Sequence, residues 1–191
     1  MRVSISALLL AATAMAAPAP APAPATASEP MTQETCTQKS SRTTGWQVKD
    51  FDFHASYLFT TPAHQNSAGE VKFTIENQAL NFTSQCEGHS GQLNDFFYGN
   101  FVYECTQPAP GVVTTFSFSR PSGQLLINQS WSCVKEQSSW KAQGGANLTL
   151  DCKDETWENP DWKQGQTYSS RTISCGHVNA PIPINMMSAI A

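Results

Sequence analysis

The sequence predicts an all-β protein, a compact antiparallel β-barrel or sandwich that is disulfide-stapled and carries little helix. Three observations lead there. Short segments alternate apolar and polar residues with a period of two, as strands with one buried face do. Clusters of Gly, Pro, Ser and Asn separate them at turn spacing, which in such a chain points to a sandwich or barrel. All six cysteines lie from Cys36 onward, and an even count behind a secretory leader reads as a disulfide framework.

With 191 residues the chain suffices for one domain with a real core. Arg2, the apolar run from Val3 to Ala12 and Ala14-Met15-Ala16 describe a signal peptide over residues 1–17; the run is too short to span a bilayer. Pro and Ala alternate from Pro18 to Pro24, so residues 18–35 read as a disordered spacer that favours extended polyproline conformations. The folded domain is expected over 36–176, with 177–191 as an irregular C-terminal tail. The net charge is −4, and −5 once Arg2 leaves with the leader. A mildly acidic domain without Lys/Arg clusters is a poor nucleic-acid binder.

Taken in order, Trp46 and Val48 share one parity while Phe51, Phe53, Ala55, Tyr57 and Phe59 take the other, so a β-bulge is expected at Lys49-Asp50. Residues Thr60 to Gly69 read as a turn-rich connection. The centre of the chain is Val71 to Cys105, in which Val71, Phe73 and Ile75, then Phe101, Tyr103 and Cys105, mark two inward faces. Val113 to Phe118 and Leu125 to Cys133 flank Arg120-Pro121-Ser122-Gly123, a hairpin turn. Leu148 to Cys152 and Ile173 to Cys175 give the last short strands. The inward set is therefore Phe53, Tyr57, Phe73, Ile75, Phe101, Tyr103, Phe116, Phe118, Ile127 and Leu150.

Six cysteines allow fifteen pairings. Pairs that bracket a strand–loop–strand unit are Cys86–Cys105 and Cys133–Cys152, which leaves Cys36–Cys175 to tie the two ends together. Sequons stand at Asn81, Asn128 and Asn147, each beside an inward residue and so facing outward, where a glycan has room.

Candidate chemistry is sparse. No C-x-x-C or H-x-x-x-H spacing exists for a metal, no G-x-S-x-G elbow presents a nucleophile, and no cofactor is implied. His54, His64, His89 and His177 are scattered, and His54 falls on an outward strand position. Processing exposes Ala or Pro, which excludes an oxidative copper site built on an N-terminal histidine. The acidic run Asp151, Asp154, Glu155, Glu158 and Asp161 lacks the EF-hand order and reads as a solvated loop. Trp157 and Trp162 in that loop are candidate binding residues, since exposed indoles stack on sugar rings.

The order of W-x-V-x-D-F (Trp46 to Phe51), V-x-F-x-I (Val71 to Ile75), Asn81-Phe82-Thr83 with Cys86, Tyr103 with Cys105, and F-S-F-x-x-P-S-G-x-L-L (Phe116 to Leu126) resembles the Alternaria major-allergen domain family of secreted fungal proteins. The resemblance covers about Cys36 to Cys175. It implies a compact antiparallel β-barrel with no assigned catalytic residues, and members known as allergens and as effectors that elicit or modulate plant defence. Cys86 and Cys105 match the family's first intrachain disulfide. In the allergen the N-terminal cysteine links two subunits, whereas here Cys175 is an extra distal cysteine able to capture Cys36 within one chain. The expectation is an extracellular, non-enzymatic binder of a host protein or small ligand, monomeric or a non-covalent dimer, without membrane or nucleic-acid partners. Its rivals are a carbohydrate-binding module using Trp140, Trp157 or Trp162, and a hydrolase whose residues meet only in the fold. Recognition is expected in the loops Thr60 to Gly69 and Asp154 to Gln166.

Overall fold

The computed structural model describes residues 33–91 and 97–190. The expected leader, and all of the expected spacer before residue 33, lie outside the described residues. The first element is a short helix, α1 (Cys36–Arg42), built by a capping box: Thr35 Oγ1 accepts from Gln38 N at 3.3 Å, and Gln38 Oε1 accepts from Thr35 N at 3.0 Å. Ten strands follow among the described residues: β1 (Gly45–Thr61), β2 (His64–Asn77), β3 (Thr83–Ser90), β4 (Tyr103–Glu104), β5 (Val113–Ser119), β6 (Gln124–Cys133), β7 (Ser138–Asn147), β8 (Cys152–Glu158), β9 (Ser169–Cys175) and β10 (Val178–Ile190).

The pairings are antiparallel and run β3-β2-β1-β10-β7-β6-β5-β4. The two terminal strands then meet. Thr106 N donates to Gln85 O at 2.7 Å, Gln85 N donates to Thr106 Oγ1 at 3.0 Å, and Cys86 is bonded to Cys105. The result is a nearly closed antiparallel β-barrel.

The bulge expected at Lys49-Asp50 has a topological cause. β1 pairs with β10 through Phe51 and with β9 from His54 onward, so the strand changes partner across the irregularity. Asp50 takes φ 53°, and its N–H is met by Asn179 Oδ1 at 2.8 Å. The hairpin turn at Arg120–Gly123 forms as expected, with Gly123 at φ +68°. A side chain there would also sit 2.3 Å from Leu148 O, so glycine is required twice over.

The interior has two tiers. Towards one end Phe51, Phe53, Phe73, Phe97, Tyr103, Phe116 and Phe118 form a ring cluster with centroids 4.8–6.1 Å apart. Gly88 faces them because a Cβ there would come within 3.1 Å of Tyr103 and Phe116. Towards the other end lies a buried polar hub. Gln129 Oε1 accepts from Trp46 Nε1 at 2.8 Å and from Asn77 Nδ2 at 2.7 Å, and Gln129 Nε2 donates to Thr114 Oγ1 at 3.0 Å. Below it α1 closes the barrel. Trp131 Nε1 donates to the fully buried Ser40 Oγ at 2.8 Å, Trp140 stacks on Trp131, and Cys36 bonds to Cys133.

Four sequence expectations need correction. The pairings are Cys36–Cys133 and Cys152–Cys175, not Cys36–Cys175 and Cys133–Cys152. Bracketing fails because β8 does not return to β7: it pairs with β9, which sets Cys152 directly opposite Cys175. Residues 178–190 are not an irregular tail but β10. Pro181 and Pro183 disguise this strand; they fall in the half that pairs only with β1, where a missing N–H breaks no second ladder. Thr60 to Gly69 is mostly the extended β1–β2 hairpin, turning between Thr61 and His64, and Asp154 to Glu158 belongs to β8. Of the inward set, Phe53, Tyr57, Phe73, Ile75, Phe116, Phe118 and Ile127 are buried and Tyr103 and Leu150 are half-buried. Phe101 is 52% exposed because β4 starts only at Tyr103.

Two measurements check this architecture. Non-reducing peptide mapping should recover Cys36 joined to Cys133; Cys36 joined to Cys175, or to a second chain, contradicts the fold. Gln129→Ala should destabilise by about 2–4 kcal/mol in denaturant unfolding, because it strands buried donors on β1 and β2 and a buried acceptor on β5. Its outward neighbour, Asn128→Ala, should stay within about 0.5 kcal/mol.

Candidate functional site

Strand alternation turns Asp52 and His54 of β1, Glu70 and Lys72 of β2, and Glu87 and His89 of β3 to the outside of the barrel. The register then assembles them into two cross-strand rows. His54 lies opposite Glu70 and Glu70 opposite His89; Asp52 lies opposite Lys72 and Lys72 opposite Glu87. Side chains paired this way stand about 5 Å apart at Cβ, within reach of direct contact.

Glu70 is the centre. Its side chain is only 18% exposed, against 47% for His54, 49% for Lys72 and 66% for His89. His54 Nε2 stands 2.9 Å from Glu70 Oε2, while Lys72 Nζ is ion-paired to Oε1, with His89 Nε2 at 3.9 Å. Asp52 Oδ2 lies 3.3 Å from His54 Nδ1, and Glu87 Oε1 lies 2.6 Å from His89 Nε2. A neutral imidazole donates from one nitrogen only, so both His54 contacts are hydrogen bonds when the ring is protonated. The hydrogen bond from Lys72 holds the Glu70 carboxyl below its ordinary value against a smaller opposing effect of burial, with the charges of Lys72, His54 and His89 adding to it. The same bond raises Lys72.

A shallow depression of about 330 Å³ continues the array toward the barrel seam. Phe73 and Cys86 line it together with Asp50, Lys72, Gln85 and Thr106, and His177 also borders it.

The other candidates disperse. His64 contacts Thr60 Oγ1 at 2.9 Å at the β1–β2 turn. Asp154 is bound by Arg171, whose Nε donates at 2.8 Å and which depresses the carboxyl, while Glu155 and Glu158 lie along β8 and Asp151 and Asp161 fall outside it. Trp157 is 51% exposed, but Trp162 donates to Gln166 O at 2.8 Å and packs edge-on against Tyr168. Trp140 is buried in the core. Asn81, Asn128 and Asn147 are all exposed, in accord with their expected outward phase. Alternation along β1 turns His54 outward but does not by itself reveal its neighbours on β2 and β3. The signal was an acid-x-base pattern repeated on consecutive strands: Asp52-Phe53-His54, Glu70-Val71-Lys72 and Glu87-Gly88-His89.

A nearly closed antiparallel β-barrel with three disulfides, an aromatic and polar packed interior and a charged outer wall defines a small disulfide-stabilised barrel protein. The family model described as Alternaria alternata allergen 1 matches residues 48–175, and the chain belongs to that family. No curated protein and no solved structure matches the chain. The family and the three disulfides are consistent with a secreted protein.

The Glu70 carboxyl lies below its ordinary value of 4.5, so its charge contributes stability above that pH, and the contribution is lost as pH falls through the depressed folded value. Thermal unfolding followed from about pH 5 down to about pH 3 should therefore fall less steeply in Glu70→Gln than in the parent protein. Equal slopes would show that the charge array contributes nothing to acid stability.

Proposed function

We propose that the protein is a secreted, non-enzymatic binder that engages an extracellular host protein through the outer face of β1, β2 and β3. One observation carries the reading. Side chains of both signs are concentrated in cross-strand register beside a shallow depression, on a rigid sheet rather than in loops. Such a checkerboard selects partners by charge complementarity more than by buried apolar area, and it speeds encounter. The leader-like N-terminus supports passage through the secretory path, and the family supports an allergen-like or effector-like role there. A carbohydrate-binding role has one observation in its favour, the exposed Trp157 on β8.

The test uses the immobilised protein and the charge-reversed variant Asp52→Lys/Lys72→Glu/Glu87→Lys. Capture of a defined protein from plant apoplastic fluid, with defence elicitation, should fall at least tenfold in the variant, as loss of about 1.4 kcal/mol or more of binding implies. Retention on insoluble chitin or glucan that disappears in Trp157→Ala moves the assignment to a carbohydrate module. Glycan, ester or peptide hydrolysis removed by a single carboxylate or histidine change overturns the non-enzymatic reading.

A further inference from the structure

We infer that Glu70, Glu87 and His89 form a binding site for a divalent transition-metal ion of the zinc class, with a fourth position open to the outside. The inference concerns the isolated protein and does not rest on the partner-binding reading. One ligand atom from each of these three side chains lies within 4.8 Å of the other two. Sequence spacing supplies only the Glu87-x-His89 pair, and strand register completes the site: Glu87 and His89 share the outer face of β3, and Glu70 stands opposite His89 on β2. Tetrahedral zinc ligands bound at about 2.0–2.2 Å stand roughly 3.4 Å apart, so ordinary side-chain rotations suffice to close the set.

Three further observations point to a cation here. Lys72 already places an ammonium on Glu70 Oε1 and 3.8 Å from Glu87 Oε1, so a side-chain cation occupies the space between the two carboxylates. Glu70 Oε1 is itself cut off from solvent, so its charge is balanced from within the array, by the Lys72 ammonium that an entering metal ion would replace. His54 holds the other oxygen, Oε2, at 2.9 Å and is contacted in turn by Asp52, the outer arrangement that orients a metal-binding carboxylate. One imidazole with two carboxylates suits zinc, whereas calcium requires six to eight oxygen ligands and magnesium keeps most of its water. Metal entry displaces Lys72, whose half-exposed stem is free to swing outward.

The experiment is calorimetric titration of the purified protein with zinc chloride near neutral pH in a non-coordinating buffer, with calcium and magnesium chloride as comparators. The expected result is one zinc ion per chain, a much weaker response to calcium and magnesium, and at least a tenfold loss of affinity in Glu70→Gln and His89→Ala. His64→Ala, at the far end of the hairpin, should leave the affinity unchanged. Lys72→Met should bind zinc several-fold more tightly, a gain that misfolding cannot produce. No stoichiometric zinc binding, or binding that survives both Glu70→Gln and His89→Ala, overturns the site.

Discussion

The structure depends on closing one sheet at a seam that has few hydrogen bonds to close it. The terminal strands are β3, eight residues long, and β4, only two. A two-residue strand cannot carry a barrel joint by backbone pairing. The Gln85–Thr106 contacts and the Cys86–Cys105 bond take over that task, and the 19-residue separation of the two cysteines corresponds to about 3 kcal/mol of removed chain entropy. Phe73, Tyr103 and Phe116 pack directly behind the joint. The seam also covers two strand edges that would otherwise offer themselves to other chains.

The opposite side of the problem is how so small a barrel excludes water from a polar interior. Gln129, Asn77, Thr114 and Ser84 are all buried, each on an inward phase where an apolar residue would be expected. They are tolerated because they satisfy one another across five strands, with Trp46 as the fifth member. A connected network of this kind fixes register, since a slipped strand leaves donors and acceptors unpaired in low dielectric. Helix α1 extends the principle: Ser40 accepts the Trp131 indole, and the Cys36–Cys133 bond holds the helix in place.

The sequence carried the fold class, the β5–β6 hairpin, the bulge at Lys49-Asp50 and most of the inward phase, because those features are written in neighbouring residues. What it hid was non-local. Cys152 faces Cys175 only because β8 abandons β7 for β9, and Pro181 and Pro183 masked a strand whose partner changes halfway. Phe97, buried at φ +62°, has no alternating neighbours to announce it. The candidate site fared similarly. Alternation turns His54 outward, but Glu70 and His89 stand beside it only through the β1–β2 and β2–β3 registers. The tryptophans misled in the other direction, since Trp140 is a core residue and Trp162 is tied to its own loop.

The outer array occupies the three strands that end at the seam, so its geometry follows from closure. The Cys86–Cys105 seam holds β3, and with it Glu87 and His89, in register against β2. Native-state hydrogen exchange, before and after selective reduction of that bond, tests the claim most directly. The predicted result is a marked loss of protection at Thr106 and through β3, with β5, β6 and β7 still protected by their own ladders and the Gln129 hub. Unchanged protection in β3 after reduction, or simultaneous loss across all strands, would contradict it.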